Sequence, residues 1–452
     1  MMIEAVISRR TGPAKRSTWA AIATTALPLY LTMITASAGA LLDTALLGNH
    51  STATLAAFAV AMAVFSPATA TVAGALRGVM PFITPSRENA DRLLPLVRSG
   101  TWLATTVGAI AAAAVASVPL IGQVVGVPRA TLHHLGIFPL LLAGSVLAVA
   151  VSSSTTSVLV ALGHSKPVMR AGMLGTAAST TLSVLLVGGP GPLPSHGLTG
   201  AGIAMLASSL ISACANQAAL RRSTVLNGHS LHPGRPNLKQ IWALGTVGIP
   251  LAGTVLVKFA VLGVLTFAVA RIGTDSTAVH SIGISLVNLI FTAAVAVGQA
   301  TIPLISDCAT KHDSAGIRRT VRAGTWLALS VVGLIATSVI VLDSWFVPLF
   351  TQDAGVRSQV TDLLPLVLAV VVTDALQAVV GFGLIGLKRT VPSFVSTSVC
   401  YAVLAGAAAP IPLWAALGLA NLLQAVSKAC SFYRHSALNN TRARPPTPIR
   451  DR

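Results

Sequence analysis

The sequence predicts an all-α integral membrane protein of twelve transmembrane helices, arranged as two six-helix bundles in parallel repeat. Three observations predict it. The chain of 452 residues is 54% hydrophobic and only 9% charged, with a mean hydropathy of +0.78, whereas soluble domains carry about 25% charged residues. Apolar runs of about 20 residues recur along its whole length, each long enough to cross a hydrocarbon core about 30 Å thick. Sequence landmarks also repeat at a nearly constant interval: "VRSGTWLA" (Val97–Ala104) returns as "VRAGTWLA" (Val321–Ala328).

The apolar runs are 19–47, 54–76, 99–122, 135–161, 167–188, 198–220, 241–270, 279–305, 323–342, 361–387, 391–410 and 411–434. Span 1 follows the polar start "MMIEAVISRRTGPAKRST" and is too long for a signal-peptide core, so it is expected to be retained. Span 2 closes at "VMPFITPS", and span 3 opens on the first octapeptide. "LGHSKPVM" punctuates spans 4 and 5, and the basic stretch "RRSTVLNGHSLHPGRPNLK" (Arg221–Lys239) follows span 6. Span 8 closes at "TIPLISDC", span 9 opens on the second octapeptide, and "IGLKRTVP" closes span 10. Spans 11 and 12 are divided only at "APIPLW" (Ala409–Trp414), where two prolines leave a short turn. Barrel strands would instead show alternating segments of about ten residues. The expected division is a tail (1–18), an N-lobe (19–220), a linker (221–240), a C-lobe (241–434) and a basic tail (435–452).

A net charge of +18 invites a nucleic-acid reading, but the distribution argues otherwise. With the N-terminus inside, twenty-six Lys and Arg fall on the inner side, from Arg9, Arg10, Lys15 and Arg16 through Arg77, Arg87 and Arg98 to Lys428 and Arg434. Three (Arg129, Arg271 and Arg357) fall outside, and Lys258 lies within a span. This is the positive-inside pattern. The partner implied is the lipid bilayer and not nucleic acid, with both termini cytoplasmic. Cys214, Cys308, Cys400 and Cys430 show no pair spacing and read as small apolar residues.

The octapeptide repeats because the whole half repeats. Pro28 and Pro250 differ by 222 residues, Phe58 and His280 by 222, Pro81 and Pro303 by 222, and Gly163 and Gly386 by 223. Each copy holds six spans, an even number, so both enter the membrane in the same direction. That is the parallel-repeat arrangement of some secondary transporters, with an axis along the membrane normal.

The chain resembles the multidrug and toxic compound extrusion (MATE) family, of the DinF and NorM kind. The resemblance rests on "LLDTALLG" (Leu41–Gly48), "AVHSIGISL" (Ala278–Leu286) and "TDALQAVVGFGLIGLKRTVP" (Thr373–Pro392), in that order. It implies a monomeric, multi-pass antiporter of the plasma (bacterial inner) membrane. Such a protein exports amphipathic, often cationic small molecules by alternating access, driven by inward proton or, second, sodium flow. No cofactor is implied beyond that coupling ion. No GxxxxGKS or GxxxxGKT stretch occurs, so ATP-driven pumping has no support.

Charges within spans carry the mechanism, since each costs roughly 2.5–3.5 kcal/mol at a helix centre. Three are expected: Asp43, Lys258 and Asp374. Asp43 matches the family's first-helix Asp, and Pro28, fifteen residues before it, frees a backbone carbonyl and lets the helix kink. Ser183 and Ser179 stand where one branch has Asp and Asn, which weakens any sodium cage in the N-lobe. Pro250 plus eight is Lys258, where the other branch is acidic, so a carboxylate pair has become an opposite-charge pair. Lys258 lies thirteen residues from Arg271 and Asp374 twelve from Asp362. At 1.5 Å per residue both sit about 18–20 Å below the outer surface. Gln377 stands one turn after Asp374. His280 reads either as a polar interhelical bond or as a functional group. Gln299 and Asn288 are candidates to line the C-lobe cavity, and Tyr30 and Phe259 to touch an apolar cargo, although all four residue types also serve helix packing.

Two alternatives stay open. A lipid-linked glycan flippase of the same superfamily would share the lobes but tends to show a cationic cavity. A membrane-embedded enzyme would need clustered Asp-rich or His-rich motifs at one membrane face, and only isolated residues occur.

Overall fold

The computed structural model describes residues 17–189, 195–232, 234–271, 273–349, 353–406 and 413–441, and all regular structure among them is helical. Most of the N-terminal tail (1–16), the end of the C-terminal tail (442–452) and the first four residues of "APIPLW" lie outside the described residues. The N-lobe contains α1 (Thr18–His50), α2 (Thr52–Arg77), α3 (Ala90–Ala116), α4 (Phe138–Ala161), α5 (Ser165–Leu186) and α6 (Gly197–Arg221). The C-lobe contains α7 (Leu238–Ala270), α8 (Thr274–Thr310), α9 (Ser314–Val341), α10 (Ala354–Gly386), α11 (Val391–Gly406) and α12 (Leu413–Thr441).

Local chemistry starts the helices where polar residues cap them. Ser17 Oγ accepts from the Ala20 N–H, Asn89 Oδ1 from Arg92 and Asp313 Oδ1 from Gly316, each satisfying an amide that the first turn leaves free. The last two caps stand 224 residues apart, so α3 and α9 begin at matching points. The octapeptides therefore lie two turns inside their helices rather than at their starts, because the basic first turns are helical too. The apolar run 99–122 also breaks, at Ser117, into α3 and a short helix, Val118–Val125.

Ten of the twelve helices are long and apolar enough to cross a membrane by composition alone. α11 is too short for that test, and α5 carries Ser179, Thr180, Thr181 and Ser183. α5 packs between α1 and α6. Glycine makes this approach close: a Cβ on Gly172 would fall 2.3 Å from Thr32 Cγ2, and one on Gly175 would meet Ser212 Oγ. Small residues at such seams let helix backbones approach without a hydrophobic driving force.

The packing is two-fold. Within the N-lobe the contacting pairs include α1–α5, α5–α6, α4–α6, α3–α4, α2–α4 and α2–α3. Within the C-lobe α7–α11, α11–α12, α10–α12, α9–α10, α8–α10 and α8–α9 answer them pair for pair. Between lobes, α2–α7 and α1–α8 exchange under the same operation. Hydrogen bonds repeat as well: Thr32 Oγ1 donates to the Pro28 carbonyl and Thr254 Oγ1 to the Pro250 carbonyl, both at 2.9 Å.

The lobes close against each other on the basic side, where α1 begins. A Cβ on Gly78 would fall 2.8 Å from Gly248 N, and one on Gly248 would fall 2.4 Å from the Ala75 carbonyl, so α2 and α7 touch backbone to backbone there. Ser99 Oγ donates to Gln240 Oε1 (2.9 Å), Ser306 Oγ donates to the Pro81 carbonyl (3.0 Å), and the Lys388 ammonium sits 4.1 Å from the Phe82 ring. Toward the opposite side α8 exposes Ser281, Ser285 and Asn288 on one face, at i, i+4 and i+7. A polar exposed stripe at helical spacing suits a water-filled cleft better than lipid.

Candidate functional site

Two polar centres form, one in each lobe. In the C-lobe, α7 brings Lys258 two turns past Pro250, and α10 brings Asp374 and Gln377 one turn apart. Lys258 Nζ donates to Asp374 Oδ2 at 2.6 Å, and Gln377 Nε2 donates to Asp374 Oδ1 at 2.7 Å. The equal depth expected from residue counts thus ends in contact. Asp374 is almost fully buried, whereas the Lys258 side chain keeps 23% exposure and lies 4.2 Å from the Phe291 ring centre on α8. A buried carboxylate with a cation and a second donor has both oxygens satisfied.

The network continues on α12, through a residue expected at the inner surface. Lys428, counted among the inner-surface charges, is buried on α12, where its ammonium donates to Gln377 Oε1 and lies 3.4 Å from Gln424 Oε1. Thr397 Oγ1 also donates to Gln424 Oε1, at 3.0 Å. A signal existed: Lys428 falls six residues before the end of the run 411–434, too deep for a surface charge, and Gln424 precedes it by one turn. Among the described residues, Lys428 therefore joins Asp43, Lys258 and Asp374 as a charged residue deep within a span.

In the N-lobe, Asp43 is buried at 6% exposure, with Ser183 of α5 beside it. Asp43 Oδ1 and Ser183 Oγ each lack a hydrogen-bond partner, and Asp43 forms no ion pair among the described residues. Toward the basic side on the same two helices lies a cavity of about 440 Å³. Its wall is rich in hydroxyls: Thr32, Thr176, the α4 run Ser152, Ser153, Thr156 and Ser157, and the α6 series Ser208, Ser212 and Asn216 at four-residue spacing. Arg77 lines it too, 5.8 Å from the Phe382 ring centre, and no carboxylate does among the described residues. The sequence signal for this wall is "SSSTTS" (Ser152–Ser157), a run of hydroxyls in mid-span.

The remaining candidates disperse. Gln299 is buried and lines the N-lobe cavity across the interface, not a C-lobe cavity. The reason is that α8 packs on α1 and turns this side chain toward the other lobe. Asn288 is exposed on the polar stripe of α8. His280 is buried, with Nε2 3.4 Å from Thr266 Oγ1 and its ring 5.5 Å from Trp414, an interhelical packing position. Tyr30 is half-buried where the cores of the two lobes meet, and Phe259 is half-buried on α7 beside Lys258. Pro28 and Pro250 both lie inside helices, as expected of kink positions.

Two six-helix lobes in two-fold repeat, closed against each other on one side and each holding a buried polar centre, have the parallel-repeat architecture found among secondary transporters. The MatE family model matches residues 250–411. The chain is 24% identical over 380 residues to the probable multidrug resistance protein NorM of Aromatoleum aromaticum, covering 83% of this chain and 82% of that one. It is 26% identical over 388 residues to the protein of the same description in Xanthomonas campestris pv. campestris, covering 82% of each. Its fold is similar to a MATE crystal structure in the straight conformation, with a TM-score of 0.84 at 15% identity over 94% of this chain and 97% of that one. A MOP superfamily transporter from Pyrococcus furiosus, described as having a binding pocket of reverse polarity, gives a TM-score of 0.83 at 15% identity over 93% of this chain and 96% of that one. By these matches the chain is similar to the multidrug and toxic compound extrusion family in sequence and in fold.

Proposed function

We propose that this protein is a monomeric secondary antiporter of the bacterial inner membrane that exports amphipathic small molecules in exchange for protons. The observation that carries the reading is Asp43: a buried carboxyl with an unpartnered oxygen and no ion pair among the described residues. Such a group needs a proton or a cation to complete it. Its helix also walls the cargo cavity. α1 meets α5 at Thr32 against Gly172, at Gly39 against Thr176, and at Asp43 against Ser183. A protonated Asp43 donates to Ser183 and draws the two helices together, while an ionised one favours water and parts them. The cavity wall and the proton site thereby compete, which is the requirement for exchange. Alternating access follows by rocking lobes 19–220 and 241–434 about the glycine seam, with the basic side in the cytoplasm. The names of the relatives support a broad cargo range.

Sodium is the second coupling ion to consider, and the C-lobe argues against it. The Lys258 ammonium occupies the place on Asp374 that a bound cation would take. The test is uptake of a fluorescent amphipathic substrate into everted vesicles under a proton gradient with sodium absent. Asp43→Asn keeps the shape and removes the titration, so it is expected to insert normally and abolish gradient-driven uptake. A normal rate in that variant overturns the assignment.

A further inference from the structure

We infer that the N-lobe cavity takes an organic anion bearing a hydroxyl group, not the cation that family resemblance implies; the inference rests on the exporter reading above. Arg77 is the ionised group in the cavity wall, and no carboxylate lines the cavity among the described residues. A guanidinium stays protonated at any physiological pH and presents a planar fork suited to carboxylate, sulfonate or phosphate oxygens. Arg77 forms no ion pair among the described residues, whereas Lys258 is balanced by Asp374. Its place fits a ligand contact: it ends α2 beside the Gly78–Gly248 seam and over Phe382, on the side where the lobes are closed.

A second observation points to the hydroxyl. Gln299 and Asn216 line the same cavity at 4% and 3% exposure, and Gln299 Oε1 and Asn216 Oδ1 have no partner. The Asn216 amide nitrogen is already engaged with Ser152 Oγ at 2.9 Å and Thr156 Oγ1 at 3.3 Å. A buried amide end without a partner is costly, and a cargo hydroxyl, able to donate or accept, satisfies it whichever way the amide is turned. Apolar contacts come from Leu29, Met33 and Val149 in the same wall, so the complementary cargo has an apolar body, one acidic group and a hydroxyl.

The experiment uses a shape-matched pair of probes, 6-hydroxynaphthalene-2-sulfonate and 6-hydroxy-2-naphthyltrimethylammonium. Binding of each to the purified full chain is measured by titration calorimetry, and uptake of each into everted vesicles under a proton gradient. The sulfonate is expected to bind about tenfold or more tightly than the cation, and Arg77→Gln to weaken the sulfonate by about tenfold or more while sparing the cation. Should Arg77→Gln fail to accumulate, Arg77→Lys and Gln299→Leu are each expected to weaken the sulfonate by at least about threefold and leave the cation unchanged. Preference for the cation, equal loss of both probes in the variants, or binding of neither probe overturns the inference. Arg77-dependent binding of the sulfonate without gradient-driven uptake would leave this site standing and sink the exporter reading. Uptake of the cation alone does the reverse.

Discussion

Lys428 changes what the pair Lys258–Asp374 means. Read as an isolated pair, removal of either partner strands the other. With Lys428 reaching Gln377, which itself holds Asp374, the carboxylate retains a cationic neighbour when Lys258 is lost, whereas both lysines lose their counter-charge when Asp374 is lost. Asp374→Ala is therefore expected to be the costlier change, about 3–5 kcal/mol, and Lys258→Met clearly less. Thermal unfolding of the purified variants in detergent checks the order; equal losses would show that Lys428 does not share the charge. Asp43 has no such support, so its Asn variant is expected to abolish gradient-driven transport with little loss of thermal stability.

At the scale of elements, the seam between α2 and α7 is set by two glycines. Gly248 lies where an added Cβ would fall 2.4 Å from the Ala75 carbonyl, backbone that has no flexible end to move. Gly248→Val must push α7 away from α2, an overpacking that costs about 1–3 kcal/mol in the closed arrangement. The arrangement open to the basic side gains by comparison. Ala75, nearly inaccessible here at 1% exposure, then becomes reachable. An Ala75→Cys reporter in everted vesicles is expected to react several-fold faster with a membrane-impermeant maleimide when Gly248 is Val, and transport is expected to fall. Unchanged labelling with normal transport would mean that this seam does not govern access.

For the whole molecule, the proposed anionic cargo and the proposed proton coupling together predict a measurable current. Exporting one anion while importing one proton moves two charges in the same direction, whereas a cationic cargo would make the same exchange electroneutral. Each charge is worth about 2.3 kcal/mol per 100 mV, so an anion cycle draws about 4.6 kcal/mol from that potential. In everted vesicles a lumen-positive diffusion potential is expected to accelerate uptake of the naphthalene sulfonate at fixed pH gradient. Indifference to the potential would contradict an anionic cargo moved with a single proton.

How much of this was legible in advance depends on which coordinate of a helix is meant. Apolar run length and the side bias of Lys and Arg disclose membrane class and span order, because the bilayer acts on composition directly. The 222–224 interval discloses two matching lobes, because a duplicated chain repeats its contacts. Depth is legible too: the rise of 1.5 Å per residue does not depend on packing, so Lys258 and Asp374 are level before any fold is known. Azimuth and lobe of address are not. Arg77 has the spacing of a surface charge yet lines a cavity, Gln299 belongs to one lobe and faces the other, and Lys428 turns inward to Gln377. Those orientations follow from which faces of α2, α8 and α12 pack against their neighbours, and only the tertiary structure decides that.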